Sequence, residues 1–137
     1  MNRYLLDTSV LSQPIKDSPV RVALERWSRC DQDALHTSAI CVAELLQGLE
    51  ARSSANYWRR YRELIEGHYP VVPFDVSVAA VYGQLHHQLK KLGSLRPVLD
   101  LLIAATARHH GLVVATLNIR HFRDIPAVQA EDWSIPL

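Results

Sequence analysis

Val98-Leu99-Asp100-Leu101-Leu102-Ile103-Ala104-Ala105-Thr106-Ala107-Arg108-His109-His110-Gly111-Leu112-Val113-Val114-Ala115-Thr116 reads as three pieces. Val98–His110 is a helix that is apolar on nearly every side, which places it in an interior. Gly111 stops it, because glycine takes the left-handed geometry that ends helices at no steric cost. Val113–Thr116 then supplies a short strand with no polar face, the pattern of a strand covered on both sides.

The same alternation extends outward. Arg3 to Asp7 reads as a short buried strand that opens the fold. Asp17-Ser18-Pro19 gives a helix start, with Val20, Leu24 and Trp27 carrying the helix to about Cys30. Ala34–Thr37 is a second strand candidate. From Ser38 a strong helix places Cys41, Leu45, Leu46 and Leu49 on one side. Ser53–Asn56 looks like a turn, and Trp58, Tyr61 and Ile65 mark another helix ending near Gly67. Val71–Phe74 is a strand candidate weakened by Pro73. Asp75 caps a long helix through Val78, Val81, Tyr82, Leu85, Leu89 and Leu92, and Gly93–Pro97 forms a loop. A helical turn at Asn118–Phe122 and a weak strand near Val128 close the chain. Strands alternating with helices predict an α/β fold, three layers α/β/α around a mainly parallel sheet. Such sheets place their sites at the carboxyl ends of the strands. Asp7 and the Thr116–Asn118 segment both fall there.

At 137 residues the chain fits a single domain, residues 1–137, able to bury roughly two-thirds of its unfolded surface without a staple. Fifteen Lys and Arg against 14 Asp and Glu leave a net charge of +1, which excludes a polybasic or polyacidic protein. Cys30 and Cys41 match no zinc or redox spacing, so both read as free thiols in a reducing compartment. The longest stretch without Asp, Glu, Lys or Arg is Val76–Leu89, interrupted by Gln84, His86, His87 and Gln88, so no membrane span is expected. Asp7 breaks the first apolar run too early for a signal peptide, and a cytoplasmic protein is expected.

Three acids sit in apolar company. Asp7 follows Tyr4-Leu5-Leu6, Glu44 lies inside Ile40-Cys41-Val42-Ala43-Glu44-Leu45-Leu46, and Asp100 lies inside the helix quoted first. A carboxylate withdrawn from water costs several kcal/mol unless something pairs with it. No Lys or Arg adjoins any of the three. A divalent cation would hold them together, and Mg²⁺ takes one or two carboxylates plus waters and phosphate oxygens. Plainer roles are open for each. Asp7 can cap the Thr8-Ser9 turn, Asp100 can cap the helix after Pro97, and Glu44 can lie on an exposed helix edge.

The chain resembles the PIN-domain ribonucleases, and within them the VapC toxins of bacterial toxin–antitoxin pairs. Four elements in order carry the resemblance: Tyr4 to Ser9, Thr37 to Gly48, Asp100 to Ala107, and Ala115-Thr116-Leu117-Asn118 with Phe122. The resemblance implies a PIN-like fold and a Mg²⁺- or Mn²⁺-dependent endoribonuclease, cytoplasmic and dimeric, inhibited by a small VapB-like antitoxin. It also implies that Asp7, Glu44 and Asp100 hold the metal and that Thr8 or Ser9 supplies a hydroxyl beside the first carboxylate. Asp7 and Asp100 are then direct ligands, while Glu44 completes the shell or orients the attacking water. One departure stands out: where such enzymes commonly carry another acid, this chain has Asn118 and His121.

Other groupings carry less. The adjacent pairs His86-His87 and His109-His110 diverge on a helix and make no zinc motif. Trp58-Arg59-Arg60-Tyr61-Arg62 reads first as an amphipathic helix with the aromatics inward, and second as a contact for RNA phosphates. The antitoxin is expected on apolar positions of the second or third helix, around Trp27 or Leu46. The rival reading is a PIN-like module that binds RNA or protein with little or no catalysis. Such a module would tolerate loss of Asp100.

Overall fold

The computed structural model describes residues 1–137. Five strands, β1 (Tyr4–Leu6), β2 (Leu35–Ser38), β3 (Val71–Val72), β4 (Val113–Thr116) and β5 (Ala130–Asp132), form one sheet in the order β3-β2-β1-β4-β5, and every pairing is parallel. Leu5 and Leu6 point to opposite faces of β1, yet both are fully buried, as are Val114 and Ala115 on β4. Both faces of the sheet are therefore covered by helices, which gives the expected three layers. The chain builds outward from β1 through β2 to β3, then returns to place β4 on the other side of β1. The strand order reverses between β1 and β4. That is where an open parallel sheet leaves a crevice beyond its carboxyl ends.

The six helices are α1 (Thr8–Leu11), α2 (Arg21–Ser28), α3 (Ala39–Arg52), α4 (Ala55–Leu64), α5 (Val76–Lys91) and α6 (Val98–His110). Ser38, Ser54 and Asp75 cap α3, α4 and α5 by accepting from the backbone N–H three residues on. Gly111 ends α6 at a φ of 65°, as its sequence position requires. β4 falls on its expected residues, and α4 turns Tyr61 and Trp58 inward, leaving Arg59 and Arg62 exposed.

Several elements differ from expectation. No helix starts at Asp17-Ser18-Pro19; α2 begins at Arg21, and Asp17 instead pairs with Arg60 at 2.8 Å. Cys30 therefore lies just beyond α2. Ahead of α2 stand α1 and a 3-10 turn at Gln13–Ile15, too short for periodicity to register. The turn after α3 is only Ser53 and Ser54. The helical turn at Asn118–Phe122 is a 3-10 turn over Ile119–His121, and the last strand lies at Ala130–Asp132 rather than near Val128. Nor is α6 buried all round, since Val98 and Leu99 in its first turn are exposed.

Arg26 ties the last strand to α2. Its guanidinium donates to the carbonyls of Asp132 (2.9 Å) and Ile135 (3.0 Å) and to the Glu131 carboxylate (2.9 Å). Glu131 also accepts from Tyr4 Oη and Trp133 Nε1. Arg26→Met leaves two carbonyls without their donor and takes from Glu131 its ion-pair partner, though Tyr4 and Trp133 still donate to that carboxylate, and should cost about 2 kcal/mol in urea unfolding. A loss below about 0.5 kcal/mol would show that Trp133 alone pins β5.

Candidate active site

Asp7 follows directly on β1, and its N–H continues the sheet ladder to Ala115 O at 3.0 Å. Its side chain is buried and does not cap the turn after it. Instead Asp7 Oδ2 accepts from Ser9 Oγ at 2.9 Å and from Thr116 Oγ1 at 2.8 Å. Ser9 Oγ in turn accepts the Leu117 N–H at 3.0 Å, so the end of β4 is laced to the start of α1.

Glu44 projects from the middle of α3, where Thr8 Oγ1 donates to its Oε1 at 2.8 Å. The exposed-edge role is thereby replaced by a contact with the residue beside Asp7. Asp100 sits in the first turn of α6, but Pro97 occupies the cap position and Asp100 does not cap. Its carboxyl is 17% exposed, and His121 Nδ1 lies 2.9 Å from Oδ2. Burial pushes the Asp100 carboxyl above the ordinary carboxylate range; His121 pulls it down, while the charges of Asp7 and Glu44 push it up. Asp7 and Glu44 are thus both near enough for their charges to be felt at Asp100.

A pattern joins them. Each carboxylate gives one oxygen to a protein side chain, and the opposite oxygens, Asp7 Oδ1, Glu44 Oε2 and Asp100 Oδ1, receive no protein donor. No three His, Cys, Asp or Glu side chains lie close enough together to hold a metal ion among themselves. Mg²⁺ takes only one or two carboxylates and fills its other positions with waters and phosphate oxygens.

Of the supporting residues, Thr8, Ser9 and His121 join the site. Asn118 is exposed and makes no side-chain hydrogen bond there; its backbone takes part, the N–H donating to Thr116 Oγ1 at 2.9 Å. Thr116, which the sequence placed at a strand's carboxyl end without a role of its own, is a donor to Asp7 here. The signal for it was available, a hydroxyl ending a strand with no polar face. Thr116→Val keeps the shape but removes both the donor to Asp7 and the acceptor for Asn118. Chemical denaturation should show a loss of about 1–3 kcal/mol, and a neutral result would contradict the lacing described here. Cys41, behind the site, is buried, and its thiol is pushed up to about 12 by burial and then by Asp7. It is inert as a nucleophile.

A groove of about 200 Å³ opens beside Thr8 and Glu44, floored by Ile15, Leu45, Leu49 and Tyr57. Lys16 and Arg52 flank it, with the Arg52 guanidinium 4.0 Å over the Tyr57 ring. Leu46 does not line it. Trp27 lies in a separate shallow depression with Leu24, Leu64 and Tyr69, and its Nε1 donates to Tyr69 Oη at 3.2 Å.

Residues 4–128 match the model of the PIN domain. The chain belongs to the PIN-domain family. This PIN-domain chain is 34% identical to Ribonuclease VapC2 of Haemophilus influenzae, over 97% of its own length and 99% of the relative's. It is 32% identical to the tRNA(fMet)-specific endonuclease VapC of Shigella flexneri, over 98% and 100%. Among solved structures, FitAcB from Neisseria gonorrhoeae superposes with a TM-score of 0.84 at 30% identity, covering 95% of this chain and 97% of that one. DNA-bound VapBC from Salmonella typhimurium gives 0.80 at 31%, covering 97% and 99%. The PIN and VapC resemblance of the sequence is thus confirmed along nearly the whole chain.

Proposed function

We propose that this PIN-domain protein is a Mg²⁺- or Mn²⁺-dependent endoribonuclease, the toxin of a toxin–antitoxin pair acting in the cytoplasm. The observation that carries the reading is the trio of Asp7, Glu44 and Asp100, each with one oxygen fixed and one without a protein donor. Full-length relatives named as a ribonuclease and a tRNA-specific endonuclease point to RNA as the substrate. Asp7 and Asp100 would hold the cation, and Glu44 would complete the shell or orient the attacking water. When bound, the cation would make that water more acidic and neutralise charge building on the phosphate. Ser9 and Thr116 keep Asp7 in one rotamer, and Thr8 does the same for Glu44, so the site is organised before substrate arrives.

The groove beside Glu44 suits an apolar antitoxin segment, with acidic residues meeting Lys16 and Arg52 at its rim. Leu92, Leu95, Val98 and Leu99, exposed near Asp100, suit a second copy in a homodimer. The deciding experiment is induced expression in a bacterial host with end-mapping of all cellular RNA, comparing wild type with Asp7→Asn. New 5′ ends at discrete sites should appear with wild type alone. The same ends from both proteins, or none from either, would remove the nuclease reading.

A further inference from the structure

We infer that His121 is a positioning residue: it holds Asp100 Oδ2 so that Oδ1 is presented to the cation, the service that Ser9 and Thr116 perform for Asp7 and Thr8 for Glu44. The inference rests on the metal-dependent reading above and assigns to this chain the partner of its third carboxylate.

Asp7 and Glu44 are each held by hydroxyl donors, at 2.8 to 2.9 Å. Asp100 has no hydroxyl within reach, and the side chain that meets it is the His121 imidazole, Nδ1 at 2.9 Å. At 2.9 Å from a carboxylate oxygen, Nδ1 is occupied by that contact and is not available as a ligand.

The turn that delivers His121 is itself fixed. The Thr116 hydroxyl donates to Asp7 and accepts the Asn118 N–H at 2.9 Å. Asn118 O then accepts the His121 N–H at 3.0 Å, and the fully buried Phe122 anchors the turn from below. Asp7 and Asp100 are thereby connected through one short stretch, Thr116 to His121. Groups that hold a ligand's other oxygen typically change metal affinity 10- to 100-fold when removed.

The test is Mn²⁺ binding to the purified chain by titration calorimetry at pH 8. His121→Ala should bind about tenfold more weakly than wild type. His121→Asn, whose amide nitrogen sits near the place of Nδ1, should recover most of the loss, whereas His121→Gln, whose amide reaches the place of Nε2, should not. Equal or tighter binding by His121→Ala overturns the inference, as does equal behaviour of Asn and Gln. If wild type itself takes up no Mn²⁺, the metal-dependent reading fails and this one falls with it; a change confined to the His121 variants separates the two.

Discussion

Asp7→Asn should slow RNA cleavage about a thousandfold while the protein melts close to wild type. The amide is nearly the same shape as the carboxylate, and its oxygen can still accept from Ser9 and Thr116 in the place of Oδ2. What disappears is the charge, together with the acceptor at Oδ1, where an NH₂ group would face the cation. Glu44→Gln should behave alike, because its carbonyl oxygen can keep the Thr8 hydroxyl. Expressed alone in a bacterial host, wild type should arrest growth and both variants should relieve the arrest. The comparison requires matched protein levels and in vitro cleavage rates for all three chains. Undiminished toxicity in both variants at matched protein levels, with cleavage lost, would shift the reading to a PIN module that acts by binding.

Much of this arrangement is legible in the sequence. β4 is visible as four residues with no polar face after a glycine stop, and α5 announces its own cap at Asp75. Asp7, Glu44 and Asp100 stand out because charge in an apolar run demands a reason. The rest depends on tertiary placement, which a linear pattern does not encode. Val98 and Leu99 look as apolar as Leu101 and Ile103, yet the first pair faces out and the second faces the core. α1 and the 3-10 turn after it are each a single turn, shorter than any hydrophobic period. Trp133, almost wholly buried, anchors a tail that reads as irregular because its strand is three residues long. His121 drew notice only for standing where an acid is common in similar chains. That it meets Asp100, and that Thr116 meets Asp7, follows from the return of β4 to the side of β1.

Asp100→Asn should move stability in opposite directions with and without metal. Burial, together with Asp7 and Glu44, raises the folded-state pKa of Asp100 above its unfolded value, despite the opposing pull of His121. A group raised in this way contributes stability that is fully present below the unfolded value, about 3.9 for an aspartate, and is lost as pH rises through the folded value. Metal-free wild type at neutral pH therefore carries a destabilising charge that the asparagine variant lacks, and the metal-free variant should melt higher. A cation reverses the order. At a concentration a hundredfold above its dissociation constant, bound Mg²⁺ or Mn²⁺ adds about 2.7 kcal/mol to wild type. For a chain of this length that is roughly 3–5 °C per kcal/mol. The variant, with one ligand fewer, should gain much less. Melting curves for both chains across metal concentration, at neutral pH and near pH 4, decide the matter. At the lower pH wild type has recovered much of its deficit, and the difference between the metal-free chains should shrink. Equal metal gains in the two proteins would take Asp100 out of the cation site, whatever the remaining acids do.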